Sequence, residues 1–454
     1  MISRILIANR GEIAVRIIRT CKEMGIESVA VYSTADKEAY HVQMATDSIC
    51  IGSPNASDSY LNMNNIIQAA CVKGCDAIHP GFGFLSENAR FARLVKECGL
   101  IWIGPDPEMI EKLGNKTEAK KTMQKAGIPI VSGSKEPVVN IEEGSQFADQ
   151  IGYPIIIKAV NGGGGRGMRI VWNSEDFPDH FLNAKAEAKA CFGSEEVYIE
   201  KYIEKPKHVE VQVVGDMHGN AIHLYERDCS FQIRNQKMIE EAPCSTLSED
   251  LRQQMCNSAL KACKEIGYHS LGTVEFLLDS SGNYYFMEMN TRIQVEHPIT
   301  EMITGIDLVA LQIQLADGVL LPYKQTDIQR KGYALECRIT AQDIHNDFAP
   351  SVGTISFLNL PGGFGVRVDG AIYNGYKIPP FYDAMICKVI TFGSTRQQCI
   401  EKMKVALEEV IVEGIQTNEE FHYFVLHNEE FLKGIYDTSF AQTFAQHLIE
   451  KEYL

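Results

Sequence analysis

Residues 286–296 read Phe286-Met-Glu-Met-Asn-Thr-Arg-Ile-Gln-Val-Glu296, and this stretch decides how the rest of the chain is interpreted. Side chains on a β-strand alternate between its two faces, so one face here is apolar and the other is polar. The polar face carries Glu288, Asn290, Arg292, Gln294 and Glu296. Such a strand indicates a binding site, and the alternative interpretation is the solvated outer face of an edge strand.

The spacing within this stretch requires the chain to bend. Residues two apart on a strand are separated by about 6.6 Å, so Glu288 and Asn290 can meet at one cation. A straight strand would place Glu296 about 20 Å farther along. We therefore expect a bend after about Asn290, which brings metal ligands, a guanidinium and a carboxylate base around one small anion.

A second carboxylate is expected opposite the first. Residues 272–278 and 283–289 predict a hairpin that places Glu275 on the strand facing Glu288. Two carboxylates beside the Asn290 amide form a hard-oxygen site, which suits Mg²⁺ or Mn²⁺ and suits zinc poorly. Because an acidic pair on facing strands is destabilising without a cation, we interpret these three residues as metal ligands.

Composition indicates a globular protein of several domains. The 454 residues are 45% hydrophobic and 22% charged, which corresponds to roughly two to four domains. The formal charge is −16, from 43 basic and 59 acidic residues, and it argues against nucleic acid or an anionic membrane as a partner. The opening residues lack a signal-peptide pattern and no long apolar run occurs, so we expect a cytoplasmic location.

The 13 cysteines are scattered singly along the chain. No CxxC motif and no Cys/His spacing typical of a zinc site occurs among them. We interpret them as reduced, mostly buried thiols.

Residues 1–114 alternate between strand and helix patterns, which predicts a doubly wound parallel sheet. The predicted strands are 5–8, 28–32, 77–79 and 101–103, and the predicted helices are 12–24, 62–73 and 89–98. The turn after the first strand has one glycine where a dinucleotide fingerprint needs three. NAD binding is therefore not predicted.

Residues 161–167 read Asn161-Gly-Gly-Gly-Gly-Arg-Gly167 between two predicted strands, 154–159 and 168–172. The run formally satisfies GxGxxG, but it does not open a helix, so it fails as a dinucleotide motif. A glycine-rich tip costs backbone entropy, and backbone N–H groups that close over phosphate explain that cost. We predict a mobile lid, and the alternative is a flexible exposed loop.

The remaining sequence predicts a mixture of strands and helices, with a third, α+β unit after residue 330. Before that residue we expect helices over 116–126, 251–266 and 300–317, strands over 197–203, 208–214 and 221–227, and a polar loop over 228–237. After it we expect strands over 334–339, 353–357, 365–369 and 385–392, and helices over 395–410 and 418–433.

Motifs along essentially the whole chain resemble, in register, those of biotin carboxylase, an ATP-grasp enzyme. They are 79–88, 161–168, 200–202, 227–230, 236–237, 241–243, 288–298 and 379–388. The resemblance implies an α/β and α+β multidomain fold. Its parts would be a Rossmann-like domain over 1–114, an ATP-grasp domain over 115–330 with a lid at about 131–203, and a strand-rich C-terminal domain over 331–454.

The resemblance also implies roles for individual residues. ATP would be surrounded by Lys116, Lys158, Gly164, Gly165, Glu200, Lys201, Tyr202, Ile203, His208 and Asn235. Two Mg²⁺ or Mn²⁺ ions would be held by Glu275, Glu288 and Asn290. Bicarbonate would be held by Lys237, Arg292, Gln294, Val295 and Glu296, and Arg338 would face biotin. Catalysis would then depend on Arg292, Glu296, Arg338 and Lys237.

Two positions depart from the pattern that is common in acetyl-CoA carboxylase subunits. Asn235 stands where histidine is frequent, and Phe82 stands where tyrosine is frequent. The first puts one phosphate contact in doubt, and the second removes a hydroxyl near the implied biotin pocket.

The implied reaction is ATP-dependent carboxylation of biotin from bicarbonate, through carboxyphosphate, as the first half-reaction of acetyl-CoA carboxylase in fatty acid synthesis. A pyruvate or other acyl-CoA carboxylase subunit is the alternative. The chain has no Ala-Met-Lys-Met-like biotinylation site and no room for a transferase domain. A biotin carboxyl carrier protein and carboxyltransferase subunits are therefore expected partners, and the family resemblance implies a homodimer.

Two other functions compete with this interpretation. Another ATP-grasp ligase that forms an acyl phosphate is one, and Arg338 with the 292–296 stretch argues for biotin instead. A nucleotide-regulated, non-catalytic subunit is the other. The complete set of ionisable residues argues against it, because a subunit without turnover does not need Lys237 and Glu296.

Overall fold

The computed structural model describes residues 1–134, 136–160 and 167–450. Its N-terminal part is a five-stranded parallel sheet flanked by helices. The strands are β1 (Arg4–Ile7), β2 (Glu27–Ser33), β3 (Asp47–Gly52), β4 (Ala77–His79) and β5 (Ile101–Trp102), and the helices are α1 (Gly11–Glu23), α2 (Tyr40–Met44), α3 (Met63–Val72), α4 (Ala89–Glu97) and α5 (Pro107–Gly114). The order across the sheet is β3-β2-β1-β4-β5.

Both faces of the central strands of this sheet are buried, which explains their apolar runs, such as residues 5–7 and 29–31. In β1, Ile5 and Ile7 pack in one hydrophobic core, and Leu6 packs in a different one. Helix α1 covers the first core, and helices α3 and α4 cover the second. The predicted doubly wound sheet is confirmed, whereas β3 and α2 were not predicted.

The next segment begins with α6 (Lys116–Lys125), whose first turn is capped by the Asn115 side chain. A small antiparallel sheet in the order β7-β6-β8 follows, backed by two helices. Its elements are α7 (Ile141–Ile151), β6 (Ile155–Ala159), β7 (Met168–Val171), α8 (Phe177–Phe192) and β8 (Val197–Lys201). The predicted glycine lid at 162–167, with Gly164 and Gly165, lies outside the described residues except for Gly167.

The remaining elements follow in chain order. They are β9 (Lys207–Gly215), β10 (Ala221–Ile233), β11 (Gln236–Ala242), α9 (Glu249–Glu265), β12 (Ser270–Leu278), β13 (Tyr284–Asn290), α10 (His297–Thr304), α11 (Leu308–Ala316), β14 (Tyr333–Thr340), β15 (Gln342–Asp343), β16 (Ala349–Pro350), β17 (Phe357–Asn359), β18 (Val366–Gly370), β19 (Met385–Gly393), α12 (Arg396–Glu409), β20 (Ile411–Glu413), α13 (Glu419–Val425), α14 (Glu429–Leu432) and α15 (Phe440–Glu450).

One eight-stranded sheet runs through the second and third parts of the chain. Its order is β13-β12-β9-β10-β11-β14-β19-β18, and the β11–β14 pairing joins the two parts. The C-terminal α+β unit therefore extends the central sheet. This continuity places residues of β11, β13 and β14 around a common site.

Four predicted elements are wrong. The strand predicted over 353–357 is one of them, because Thr354 makes only an isolated bridge with Lys377 and β17 begins at Phe357. Residues 228–237 form the end of β10, a two-residue turn and the start of β11. Polar side chains here and just before them are buried and pair with residues of β9, as Asp228 does with Lys207 and Arg227 with Glu210. The helix predicted over 300–317 is two helices separated at Gly305, whose φ of 72° ends α10. The helix predicted over 418–433 is likewise divided into α13 and α14.

Within the described ranges, no single helix is long and apolar enough to cross a membrane. Helices α10 and α11 meet the length and composition requirement only as a pair, and they are bent by 98° at the break between them.

Candidate active site

A cavity of about 960 Å³ opens where the three parts of the chain meet. The N-terminal part contributes Asn9, Glu12 and Phe82, and the C-terminal part contributes Arg338 and Tyr382. The central part supplies most of the charged and polar lining, namely Lys116, Lys120, Lys158, Glu200, His208, Asn235, Lys237, Glu275, Glu288, Asn290, Arg292, Gln294 and Glu296. Most of the predicted site residues therefore share one cavity.

The predicted hairpin and bend are both present. Glu275 on β12 pairs directly with Glu288 on β13, next to a β-bulge at which the register shifts. Strand β13 ends at Asn290, and α10 begins at His297. The intervening irregular segment turns Glu296 back into the cavity.

Glu275 is surrounded by donors even without a cation. Its side chain accepts hydrogen bonds from the Asn290 amide at 2.8 Å, the Gln294 amide at 3.0 Å and Lys237 Nζ at 3.1 Å. His208 Nε2 lies 3.0 Å from its other oxygen. Burial alone raises the pKa of Glu275, but Lys237 and His208 hold it well below its usual value. The sequence argument that the Glu275–Glu288 pair is destabilising without a cation is therefore incomplete, because protein donors already stabilise Glu275.

Glu288 is the less compensated member of the pair. Its side chain is 39% exposed, and the Lys116 ammonium lies 3.8 Å away. Burial, followed by the nearby Glu275 carboxylate, raises the pKa of Glu288. A divalent cation would remove that repulsion, and the donors are hard oxygens. Glu275, Glu288 and Asn290 therefore fit a Mg²⁺ or Mn²⁺ site, although Asn290 Oδ1 accepts a hydrogen bond from Arg292 here at 3.0 Å.

Two other groups of ligand-type atoms lie within 4.8 Å of one another in the described residues. They are His208, Glu210 and Glu275, and Glu210, Cys229 and Glu296. Both groups contain Glu210, which is ion-paired with Arg227 at 2.6 Å and with Lys237 at 2.6 Å. These cations neutralise Glu210, so both groups are parts of a buried ion-pair network.

The side chains after the bend are held individually. Arg292 Nε donates to Glu87 at 2.8 Å, and Gln294 Oε1 accepts from Arg227 at 3.1 Å. Glu296 is only 1% exposed. Its two oxygens accept from Lys237 Nζ at 2.7 Å and from Arg338 at 3.1 Å.

Glu296 is ionised in this environment. Burial by itself raises the pKa of its carboxyl group, but Lys237 and Arg338, with Arg227 behind them, hold that pKa well below the usual value. The carboxylate is thus free of a proton at neutral pH and able to accept one.

Arg338 lies on β14 at the opposite side of the same carboxylate. Its Nε donates to Glu240 at 2.6 Å. Burial raises the pKa of Glu240 to about 7 despite the Arg338 charge, whereas the acidic neighbours of Arg338 raise its own pKa. Arg338 is therefore a fixed positive charge beside Glu296.

A second group of cations lines the other end of the cavity. Lys158 donates to Glu200 at 2.7 Å, and Lys120 pairs with the other oxygen of the same carboxylate. Burial, followed by the charge of Lys116, lowers the pKa of Lys158 to about 8. Burial, followed by Lys158 and Lys116, lowers the pKa of Lys120 to about 7. Several cations crowded at one end suit a polyanion.

Some predicted nucleotide residues lie beside the cavity and do not line it. Lys201 Nζ donates to the carbonyls of Gly152 and Tyr153, at 3.1 and 2.8 Å, so its side chain points into β-sheet packing. Tyr202 packs against Trp172, and Ile203 follows it. By contrast, Asn235 lines the cavity at the exposed β10–β11 turn with a φ of 64°.

The sequence reasoning missed several lining residues. Gln232 bonds to His208 Nδ1 at 2.8 Å, and it was assigned to the supposed polar loop. Lys120 lies one turn after Lys116 on α6, and this i, i+4 spacing was the available signal. Glu87 and Glu240 do not line the cavity but anchor Arg292 and Arg338, and they were missed because these arginine partners are distant in sequence.

Family models cover most of the chain. Residues 1–110 match "Biotin carboxylase, N-terminal domain", residues 115–324 match "Carbamoyl-phosphate synthase L chain, ATP binding domain", and residues 336–443 match "Biotin carboxylase C-terminal domain".

Individual relatives match this chain over nearly the full length of both proteins. Biotin carboxylase 1 of Bacillus subtilis is 53% identical over 98% of this chain and 99% of its own. The structure of a biotin carboxylase–β,γ-ATP complex from Campylobacter jejuni has a TM-score of 0.93 at 46% identity and covers 97% of this chain and 98% of that one.

A third relative adds ligands to the comparison. The biotin carboxylase domain dimer of Hydrogenobacter thermophilus 2-oxoglutarate carboxylase, in complex with MgADP, ADP and bicarbonate, has a TM-score of 0.93 at 47% identity and covers 99% of both chains. With family matches in all three parts and these identities over nearly the full length, the chain belongs to the biotin carboxylase family.

Proposed function

We propose that this protein carboxylates biotin on a separate biotin carboxyl carrier protein, using ATP and bicarbonate. One observation carries the proposal. The ionised Glu296 lies between Lys237 and Arg338 in a cavity whose other end is lined by Lys116 and Lys158. Relatives with nearly the same chain length are named biotin carboxylase or were solved with nucleotide and bicarbonate.

We assign the lysine-rich end of the cavity to ATP. Lys116, Lys158, Glu200 and His208 line it, and their positions support the assignment. Lys120 and Gln232 line the same cavity and are additional candidates. Roles for Gly164, Gly165, Lys201, Tyr202, Ile203 and Asn235 remain predictions from the family resemblance.

Glu275, Glu288 and Asn290 are the proposed holders of Mg²⁺ or Mn²⁺. A bound cation supplies charge neutralisation for the transferred phosphoryl group. Lys116 lies 3.8 Å from Glu288, so it is placed to add a further positive charge at the same point. Asn290 would have to exchange its contact with Arg292 for the ion.

Bicarbonate is assigned to the space bounded by Lys237, Arg292, Gln294, Val295 and Glu296. Arg292 and Lys237 offer cationic donors, and Glu296 accepts the bicarbonate proton. An oxygen of the deprotonated anion then attacks the γ-phosphorus, ADP leaves, and carboxyphosphate forms. Orientation by fixed side chains accounts for much of the barrier reduction, because the attacking anion is a weak nucleophile.

Arg338 is assigned to the biotin ureido oxygen. Breakdown of carboxyphosphate gives CO₂ and phosphate, and phosphate removes the N1 proton of biotin before N1 attacks CO₂. Negative charge develops on the ureido oxygen during that proton transfer. A permanently charged, forked guanidinium stabilises it.

Domain limits at 1–114, 115–330 and 331–454, with a lid at about 131–203, remain part of the proposal. The spans of the three family models support the first two boundaries to within several residues. The continuous eight-stranded sheet crosses the second boundary, so the last two units are expected to unfold together.

The partners and the cellular location of the protein are also part of the proposal. We propose a carrier protein, carboxyltransferase subunits that deliver the carboxyl group to acetyl-CoA, and a cytoplasmic location. Some relatives are parts of 2-oxoglutarate or pyruvate carboxylases. A keto acid is therefore the alternative acceptor of the carboxyl group.

A homodimer is proposed from two observations. One relative was solved as a domain dimer. In this chain Phe364 is 95% exposed on the loop before β18, and its apolar ring would be removed from water if a second copy covered it.

The function is tested by ADP release with Mg-ATP, bicarbonate and free biotin. Release that increases on addition of biotin and requires bicarbonate supports the proposal. ADP release that does not depend on bicarbonate would reject the proposal. In a separate experiment, co-purification with a tagged chain identifies the carboxyltransferase and therefore the acceptor.

A further inference from the structure

Lys388 is a buried lysine that the reaction described above does not use. It lies on β19, its side chain is 0% exposed, and its Nζ donates a 2.6 Å hydrogen bond to the backbone carbonyl of Val295. Val295 directly precedes Glu296, the proposed base. The ammonium therefore contacts the main chain of the proposed bicarbonate segment and no solvent.

A buried ammonium is costly unless it is paired. The partner is Glu12 in the first turn of α1, whose carboxylate lies 3.3 Å from Lys388 Nζ. Glu12 belongs to the N-terminal part, Val295 to the central part and Lys388 to the C-terminal part. One ammonium thus joins all three parts of the chain directly behind the catalytic carboxylate.

The sheet fixes Lys388 from both sides. In register, Asp369 on β18 and Arg338 on β14 are its cross-strand neighbours. Directly opposed residues on neighbouring strands project to the same face. Lys388 therefore shares a face with Arg338, the proposed biotin-facing residue, and the row Asp369–Lys388–Arg338 is built into the hydrogen-bond register.

Val295 lies where the backbone has no sheet to hold it. Strand β13 ends at Asn290 and α10 starts at His297, so the segment between them depends on other anchors. Arg292, Gln294 and Glu296 are anchored through their side chains. The lysine acts on the main chain, at the peptide that leads into Glu296.

We propose that Lys388 is a positioning residue that fixes the Val295–Glu296 peptide for bicarbonate, with Glu12 as its counter-ion. The inference rests on the proposed bicarbonate site. A displacement of about 1 Å in such a segment costs about 100-fold in rate. Loss of the tether is therefore expected to act on bicarbonate and to spare ATP, whose proposed site lies at the other end of the cavity.

The test is steady-state kinetics of Lys388→Met in the full chain. We expect kcat/KM for bicarbonate to fall about 100-fold while KM for ATP stays within about twofold. Arg252→Met is the matched control, because Arg252 is also a buried cation with carboxylate partners, Glu226 and Glu249, outside the cavity. It should lower the melting temperature and leave bicarbonate kinetics unchanged.

A double variant separates positioning from stability. Lys388→Met alone leaves Glu12 as an unpaired buried charge and destabilises the fold. Glu12→Gln with Lys388→Met removes both charges and should recover stability without recovering kcat/KM for bicarbonate. Recovery of both together, or equal changes in the bicarbonate and ATP constants, would overturn the positioning role.

Gln294→Ala distinguishes failure of this inference from failure of the bicarbonate assignment. If Gln294→Ala raises KM for bicarbonate and Lys388→Met leaves the bicarbonate constants unchanged, only the tether is rejected. If neither variant changes the bicarbonate constants, the assignment of the segment to bicarbonate is rejected as well.

Discussion

Single residues carry the chemistry of this site because their charges are set by neighbours. Glu296 is fully buried yet ionised, since two cations reach its two oxygens. Glu240, also buried, has one arginine partner, and burial raises its pKa to about 7. Two glutamates on opposite sides of Arg338 thus differ in protonation because one has an additional ammonium contact.

Glu296→Gln is expected to lower the bicarbonate-dependent kcat by at least about 100-fold, since the general base is lost. ATP affinity should stay within about twofold, because Glu296 contacts neither Lys116 nor Lys158, the lysines assigned to ATP. Rapid-quench measurement of ADP with separate nucleotide binding checks both. Glu226→Gln is the matched control, as Glu226 is buried but pairs only with Arg252 among the described cations. Turnover at the wild-type rate by Glu296→Gln would contradict the base assignment.

Arg338→Gln should separate the two partial reactions. Its loss removes stabilisation of the biotin oxyanion, which costs about 100- to 1,000-fold in carboxylation. Bicarbonate-dependent ATP hydrolysis without biotin should fall far less. Parallel assays of the two activities on the same preparation measure the ratio, and an equal loss of both would exclude the oxyanion role.

At the scale of helices and strands, the sequence predicted the parts of the site that depend on local spacing. The β12–β13 hairpin, the Glu275–Glu288 pairing and the bend after Asn290 follow from two-residue periodicity and a turn. The β10–β11 hairpin was missed because a run of buried polar residues has the composition of a loop. Its turn residues, Arg234 and Asn235, both have positive φ, which is typical of a type I′ turn.

Other features could not be predicted because they depend on long-range pairing. Lys388 and Val295 are 93 residues apart, and Arg338 and Glu240 are 98 apart. No local pattern marks such contacts. The division of the predicted 300–317 helix had a signal in Gly305, but the apolar periodicity on both sides outweighed it. The lid at 162–167 stays a prediction.

Helix α6 and strands β6 and β8 bring Lys120, Lys158 and Glu200 together. We predict that the two lysines take up protons when a nucleotide binds. Without nucleotide, burial and then the charges of Lys158 and Lys116 lower the pKa of Lys120 to about 7, and burial and then the charge of Lys116 lower the pKa of Lys158 to about 8. At pH 8 both are partly deprotonated. A polyphosphate favours the charged ammonium forms, so it raises both pKa values and protons enter the complex.

Calorimetry of ATP binding at pH 8 in buffers of different ionisation enthalpy measures this uptake. Lys120→Met should reduce the number of protons bound. Lys121→Met is the control, because Lys121 lies next on the same helix and is 45% exposed. Binding without proton uptake in the wild-type chain would place the phosphates away from these lysines.

At the scale of the whole molecule, the cavity exists because three parts of the chain close on one another. Glu87 reaches Arg292 from the N-terminal part, and Arg338 reaches Glu296 from the C-terminal part. Neither part could form the site alone. The continuous sheet from β13 to β18 makes the central and C-terminal parts a single mechanical unit.

Phe364→Glu is expected to dissociate the proposed homodimer. Burial of a phenylalanine side chain contributes about 2–3 kcal/mol per copy, and a charge at that position would have to be buried instead. Light scattering with size-exclusion chromatography checks the mass. Leu320→Glu, at an apolar residue that is 57% exposed outside that loop, should leave the mass unchanged. A Phe364→Glu chain that keeps the wild-type mass would exclude this loop from the interface.

The central claim is that one cavity transfers the carboxyl group of bicarbonate to biotin at the expense of ATP. Incorporation of radiolabelled bicarbonate into free biotin tests it most directly. The account predicts acid-labile label on biotin that requires Mg-ATP, accompanies ADP formation and disappears in Glu296→Gln. ADP formation that leaves biotin unlabelled in the wild-type protein would contradict it.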